Sequence, residues 1–279
     1  MRTRLPVGLF AAILLAALAV GTGSAQAAHA SQRPVHHPSV SYLKSHFSAH
    51  RSCSATPHAG SAACGARHLV VKSGLSSSAD KSARRTAATI TGLTPANIQS
   101  AYNLSGLTTG STVAIVDAYG YPNAAANLAT YRAQFGLPAC TTSSGCLKIV
   151  NQTGGTTLPK FNLGWSQEQA LDLDAVSAAC PSCKILLVQA KTASFANLGA
   201  AVNTAAAAPG VKAVSNSYGG GDAPDSTYGK YYKHLDVAIT ASAGDDGYQG
   251  ASYPASSQYV TAVGGTSLRA SSTTRGWTA

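Results

Sequence analysis

The sequence predicts an α/β domain built on a mainly parallel sheet, and three observations carry the prediction. From about Ile90 onward, strand-like and helix-like stretches alternate, which is how a chain lays down parallel strands joined by helices. The strand-like stretches Thr112–Asp117 (TVAIVD) and Cys183–Gln189 (CKILLVQ) are buried in character, as strands covered on both faces are. Later strands run into glycine clusters, Gly219-Gly220-Gly221 and Gly244-Asp245-Asp246-Gly247, so the chain turns where an open sheet presents its carboxyl ends.

The elements follow in order. After the Thr112–Asp117 strand, Tyr-Gly-Tyr-Pro closes the run, and a helix is predicted from about Asn123 to Gln134, with Gly136 and Pro138 beyond its end. Ser166 to Ala179 reads as a second helix, Cys183–Gln189 as a strand, Asn197–Ala208 as an alanine-rich helix, and Val211–Ser217 as a strand. Tyr228–Leu235 reads as part of a helix, Asp236–Ser242 as a strand, and Tyr259–Val263 as the last strand. Residues 28–90, rich in Ser, Ala, His and basic residues, read as a prosegment or linker, mostly irregular apart from an apolar patch at Leu69–Val71. Residues 91–279 form the domain.

The N-terminus carries Arg2 and Arg4, an uncharged apolar run from Leu5 to Val20, and Ala25-Gln26-Ala27. This is the three-part pattern of a secretory signal peptide, with cleavage after Ala27. A membrane anchor is the alternative, but the run is short for a span of roughly 20 residues and a processing signal closes it. The expectation is a secreted chain, without membrane attachment once the signal is removed.

Six cysteines fall into three close pairs, Cys53/Cys64, Cys140/Cys146 and Cys180/Cys183. An even count in an exported chain suggests disulfides, and nearest-neighbour pairing gives the shortest loops, although other connectivities remain open. Cys180-Pro181-Ser182-Cys183 could instead be a redox motif or half a zinc site. No second C-x-x-C accompanies it, and it lies between a helix and a strand rather than opening a helix. No metal ligand is assigned.

The net charge of +10 is concentrated at the front. Residues 1–100 hold ten Lys/Arg and one acid, whereas residues 101–279 hold ten Lys/Arg and nine acids. The folded part is therefore nearly neutral, and a nucleic-acid-binding face is not implied.

Two acidic features remain. Glu168, the only glutamate, stands four residues before Asp172, so both carboxylates project from one helix face. In a partly buried cleft such a pair shares a proton, as a general base with a supporting acid would; on a solvated face it would be unremarkable. Asp245 follows a strand of small residues at a carboxyl end of the sheet, where ligands bind or where a turn aspartate would also be at home.

Taken in order, these segments resemble the sedolisin or kumamolisin family of serine-carboxyl peptidases. The resemblance runs from Leu93-Thr94-Pro95-Ala96 and Ala101-Tyr102-Asn103-Leu104, through Glu168-x-x-Leu171-Asp172 and Ser215-Asn216-Ser217-Tyr218-Gly219-Gly220. It ends with Ala243-Gly244-Asp245-Asp246-Gly247, Tyr253-Pro254-Ala255 and Ala262-Val263-Gly264-Gly265-Thr266. It implies a subtilisin-like three-layer α/β/α fold, C-terminally incomplete, and a secreted endopeptidase acting on polypeptides at acidic pH. By this resemblance Glu168 is the general base, Asp172 its hydrogen-bonding partner, and Asp245 the carboxylic acid of the oxyanion hole. Ser217, Tyr218 and Gly219 would pair with the substrate backbone.

The Thr112–Asp117 strand also looks like the aspartate strand of subtilisins, yet no His-Gly-Thr-His follows and His234 is in another context. Gly265-Thr266-Ser267 has the letters of the family's nucleophile segment but stands only 22 residues after Asp245, with Leu268-Arg269 behind it. The resemblance therefore implies a truncated chain without its nucleophilic serine, inactive and poorly folded by itself. It also implies that the family's calcium ligands are absent, and that a full-length protein would be a monomer. A catalytically inactive, peptidase-like binding protein is the competing expectation, and a thiol oxidoreductase using Cys180 is a third.

Overall fold

The structure, a computed structural model, describes residues 40–54, 57–76, 78–79, 81, 92–104, 106, 110–248, 250–274 and 276–278, all in the unit His37–Ala279. The expected signal segment, 1–27, lies outside them. Where the sequence reads as mostly irregular, a short helix α1 (Val40–His46) leads into β1 (Phe47–Arg51). After a loop come β2 (Ala63–Cys64) and β3 (Arg67–Val71). β1 and β3 pair antiparallel from Phe47↔Val71 to Arg51↔Arg67. Hydrophobic periodicity could not reveal this hairpin, because Phe47 is the one buried position along β1 and β3 is almost wholly exposed. What organises the connection instead is a disulfide, Cys53–Cys64.

Helix α2 (Pro95–Ala101) starts at a capping box: Thr94 accepts from the Asn97 amide while the Asn97 side chain accepts from the Thr94 amide. The main sheet follows, in the order β4 (Thr112–Ala118), α3 (Ala124–Gln134), β5 (Leu147–Asn151), α4 (Leu163–Ala179), β6 (Lys184–Ala190), α5 (Phe195–Ala206) and β7 (Val211–Asn216). Then come β8 (Tyr218–Gly221), α6 (Asp225–Tyr228), β9 (Ala238–Ser242), β10 (Ser252–Tyr253), β11 (Thr261–Val263), and a last hairpin of β12 (Arg269–Ala270) and β13 (Trp277–Thr278).

The central sheet has six strands in the spatial order β5-β6-β4-β7-β9-β11, every neighbouring pair parallel. The first strand, β4, is thus in the middle. Successive crossovers run to one side of it and then to the other, which places a topological switch point at its carboxyl end.

Strand alternation divides the core into two layers. Ala114, Val116 and Ala118 of β4, with Leu186, Val188 and Ala190 of β6, pack with Phe195, Leu198 and Val202 of α5. The intervening Ile115, Ile185 and Leu187 face Leu128 of α3 and Leu173 of α4. This is the predicted α/β arrangement, with a mainly parallel sheet between helices. The three disulfides take the nearest-neighbour pairing, Cys53–Cys64, Cys140–Cys146 and Cys180–Cys183. No helix among the described residues is long and apolar enough to cross a membrane.

One prediction needs correcting. Tyr228–Leu235 does not form a helix: α6 stops at Tyr228, and a single 3-10 turn, Gly229–Tyr231, follows. Tyr232 is drawn fully into the core, where its ring meets Tyr253 edge-on, and that packing overrides local propensity.

Candidate active site

Helix α4 begins where Asn162 caps it, its side chain accepting from the Trp165 amide at 3.1 Å. Its inward stripe is Trp165, Glu168, Gln169, Asp172 and Leu173, the spacing of one helical face, and all are buried. Glu168 is 3% and Asp172 8% exposed, so the pair does not form a solvated face. Asp117, at the end of β4, shares the strand parity that turns Ile115 toward α4 and is fully buried.

The three carboxyls are electrostatically one cluster. Burial, then the charges of Asp172 and Glu168, push the Asp117 carboxyl far above its ordinary range. Among the described residues, neither Asp117 oxygen meets a donor, and neither does Asp172 Oδ2. A proton on Asp117 donated toward Asp172 relieves both deficits at once. Asp172 is raised to about 6 by burial, against the lowering effect of the Ser217 hydroxyl, which donates to Asp172 Oδ1 at 2.8 Å. Glu168 is raised to about 7, first by burial and then by the Asp172 charge. Backbone N–H groups of Ala66 and Gly65 work against that rise, the former donating to Glu168 Oε2 at 2.6 Å.

The facing wall is made differently. β7 ends at Asn216, whose side chain donates to Thr240 O at 2.8 Å and accepts from the Tyr218 hydroxyl at 2.8 Å. Tyr218 therefore points into the core, fully buried, and leaves only its backbone on the β8 edge. Gly219 follows it on that edge. Asp245 belongs to the loop after β9, and its charge contributes to the rise of Glu168. Beside it, Asp246 receives both Arg51 and Arg67, the latter at 2.7 Å, and these arginines hold its carboxyl below the usual range.

Between the walls lies a strand from the N-terminal segment. Ala63 and Cys64 of β2 pair antiparallel with Gly219 and Tyr218. Just before them, Ala62 N donates to Ala193 O at 2.8 Å, Phe195 N donates to Gly60 O at 2.9 Å, and Ser61 bridges Ser194 antiparallel. Just after them, Gly65 passes Asp245 so closely that a Cβ at this residue would stand 2.7 Å from Asp245 Oδ2.

The structure thus brings together Glu168, Asp172, Asp245, Ser217, Tyr218 and Gly219, the residues singled out in the sequence. Asp117 was visible only as the end of a strand. Its signal was a lone carboxylate closing a run too apolar to leave it in water. Gly65, Ala66, Arg51 and Arg67 had no signal, since they reach the site from a segment with no apolar period. Ser267 is exposed in the loop after β11, and His234 hydrogen-bonds Asn203 and the Tyr231 carbonyl instead. No group of three or more His, Cys, Asp or Glu side chains among the described residues is placed to hold a metal ion.

No protein-family profile and no curated protein sequence matches the chain. Among solved structures, Pseudomonas sedolisin, a serine-carboxyl proteinase complexed with two molecules of pseudo-iodotyrostatin, is similar at a TM-score of 0.54 and 23% identity. The match covers 65% of this chain and 55% of that one, so the chain spans little more than half the length of that structure. At this identity the likeness concerns the fold: the chain has a sedolisin-like, subtilisin-type α/β fold.

Proposed function

We propose that this chain carries the carboxyl machinery of an exported serine-carboxyl endopeptidase. Glu168 is the general base, Asp172 holds and tunes it, Asp245 donates to the oxyanion, and the β8 edge pairs with a polypeptide substrate. One observation carries the reading: a peptide strand on the β8 edge has Gly65 against Asp245 and the next amide on Glu168. A substrate carbonyl in that place would meet a base and a carboxylic acid together.

In such a reaction a serine hydroxyl attacks the carbonyl carbon as Glu168 takes its proton. The carbonyl oxygen becomes an oxyanion and accepts the Asp245 proton in a hydrogen bond. Glu168 then returns its proton to the leaving amine. Neutral Asp117 extends the chain inward by donating toward Asp172. The attacking serine, on this reading, is not Ser217, whose hydroxyl is committed to Asp172. Export suits the three disulfides, which persist in oxidising surroundings.

The reaction requires Glu168 ionised and Asp245 protonated. With Glu168 at about 7, the present arrangement keeps the base neutral in acid and is a resting form. A peptide-binding protein without turnover is the second reading, favoured by the amide of Ala66 rather than a serine hydroxyl on Glu168.

The test is proteolysis by the product of the whole reading frame, assayed from about pH 3 to 7. Cleavage in acid is expected, with Glu168→Gln and Asp245→Asn each lowering kcat/KM by about 10²–10⁴-fold. Cleavage indifferent to both substitutions would sink the assignment. Retained peptide binding with no cleavage would establish the second reading.

A further inference from the structure

The β1–β3 hairpin carries a pair of side chains that the cleft does not use. Its register sets His50 directly opposite His68. Two bonds at the ends of the ladder, Lys72 N to His46 O at 2.9 Å and Ser52 N to Ala66 O at 2.8 Å, fix its parity, so His50 and His68 are a hydrogen-bonded pair. Side chains of directly opposite residues start from Cβ atoms about 4.5–5.5 Å apart. Here the two imidazoles stay side by side to their rings, with centroids 6.0 Å apart and planes inclined by 26°. Both residues are exposed, so burial does not account for the juxtaposition.

Each ring is oriented through one nitrogen. The Ser48 hydroxyl lies 2.9 Å from His50 Nε2 and donates to the Val70 carbonyl at 3.5 Å. Having given its proton to Val70, it accepts from His50 Nε2–H, which leaves the ring's free lone pair on Nδ1. The Ser52 hydroxyl lies 3.3 Å from His68 Nδ1 in the same manner. Among the described residues, His50 Nδ1 and His68 Nε2 meet no protein partner. A metal-bound imidazole is held in this way, with one nitrogen on a polar neighbour and the other on the ion.

The arginines of the hairpin are turned from the pair. Successive side chains of a strand alternate between faces, so Arg51 and Arg67 stand on the other face and reach Asp246 there. The face of His50 and His68 is left to two neutral donors. Imidazole suits a borderline divalent ion such as zinc, whereas magnesium and calcium take oxygen. Zinc stands about 2.0–2.1 Å from each nitrogen, so two nitrogens on one tetrahedral ion are about 3.3 Å apart. The rings reach that spacing by turning about χ2, a broad torsion that exposed side chains vary freely. The remaining positions on the ion belong to water, as an exposed site with two protein ligands requires.

We propose that His50 and His68 form a zinc-binding site that staples β1 to β3. The hairpin has one buried position along β1, Phe47, and none along β3, so its pairing has little apolar support. An ion that binds only the paired strands therefore stabilises them by mass action. The same hairpin brings Arg51 and Arg67 to Asp246, and the ion steadies that contact from the opposite face. The two histidines are too far apart in sequence for an H-x₃-H spacing, and register alone brings them together.

The experiment titrates the unaltered chain, first stripped with a chelator, with zinc chloride by isothermal titration calorimetry. His50→Asn, His68→Asn and the double variant are run beside it, with His234→Asn as a control outside the hairpin. Zinc is expected to bind the pair below about 1 mM, and each single substitution to weaken it at least about tenfold. The double substitution should add little more, because both rings serve one ion. Zinc should also slow amide exchange at His50 and His68 of the unaltered chain about tenfold or more, and magnesium should not.

Binding that His50→Asn and His68→Asn leave unchanged overturns the site, as does the absence of binding below about 1 mM. Losses that multiply in the double variant overturn the shared ion, since each ring would then act alone. Exchange in the unaltered chain that zinc does not slow, or that magnesium slows equally, overturns the staple whatever the variants do.

Discussion

The two walls of the cleft differ in how their charges are controlled. On the α4 and β4 wall, Asp117, Glu168 and Asp172 are buried, and burial is the largest cause of each shift. On the facing wall, Asp246 is exposed, and its carboxyl is shifted the opposite way by two arginines from a distant segment. The first wall is set mainly by the core, with only the Ala66 and Gly65 amides of the intervening strand working against the rise of Glu168. The second depends on the β1–β3 hairpin, which supplies both arginines. A site assembled from one fixed and one conditional wall can be complete in its residues and still closed.

The largest expected effect sharpens the fixed wall. A carboxyl whose folded pKa is raised takes up a proton on folding, so stability falls as pH rises between its unfolded and folded values. For Glu168 the window runs from 4.5 to about 7, and for Asp172 from 3.8 to about 6. Stability from this wall is full below the window and lost above it. Glu168 alone accounts for a decline of up to about 3 kcal/mol, and the cluster for more. Urea melts across this range should show the decline, and Glu168→Gln should flatten it while still accepting the Ala66 amide. Asp174 also titrates near 7, so Asp174→Asn serves as the control for a carboxyl of α4 outside the cleft. A flat profile in the unaltered chain would mean that water reaches the wall.

Asp117→Asn comes next. The amide has the shape of the acid and cannot ionise, so at neutral pH it removes the cost of keeping a buried carboxyl protonated among like charges. A gain of about 1–4 kcal/mol at neutral pH is expected, vanishing in acid where the carboxyl is neutral in both folded and unfolded chains. A loss of stability at neutral pH would show instead that the proton joining Asp117 to Asp172 holds the wall together.

The fixed wall was the legible one. The apolar run of β4, the stripe of α4 and the Glu168–Asp172 spacing all follow from periodicity, because each element buries its own face against the sheet. Even there the cluster was read as a pair, since joining Asp117 to it requires knowing that β4 lies beside α4. The conditional wall was legible only as a glycine-flanked Asp245 after a strand. The hairpin that completes it buries little and carries charge and histidine, the composition of a disordered segment. Its order comes from partners more than a hundred residues away, such as Glu168 for Ala66 and Asp246 for Arg67. The tyrosines that end α6 early were likewise a tertiary effect, with no local signal.

The smallest expected effect on stability tests the conditional wall. Asp246→Asn removes a carboxylate that stands in water, where an ion pair contributes little to the fold, so the melting temperature should not move measurably. What should change is the strand between the walls. Without Asp246 the opposed Arg51 and Arg67 repel, the hairpin opens more often, and exchange at the Ala66 amide quickens. Salt at about 1 M should quicken the same exchange in the unaltered chain, where it screens the ion pairs, and slow it in the variant, where it screens the Arg51–Arg67 repulsion. Should the melting temperature fall while exchange at Ala66 stays slow, Asp246 would belong with the fixed wall, and the cleft would have no conditional side at that position.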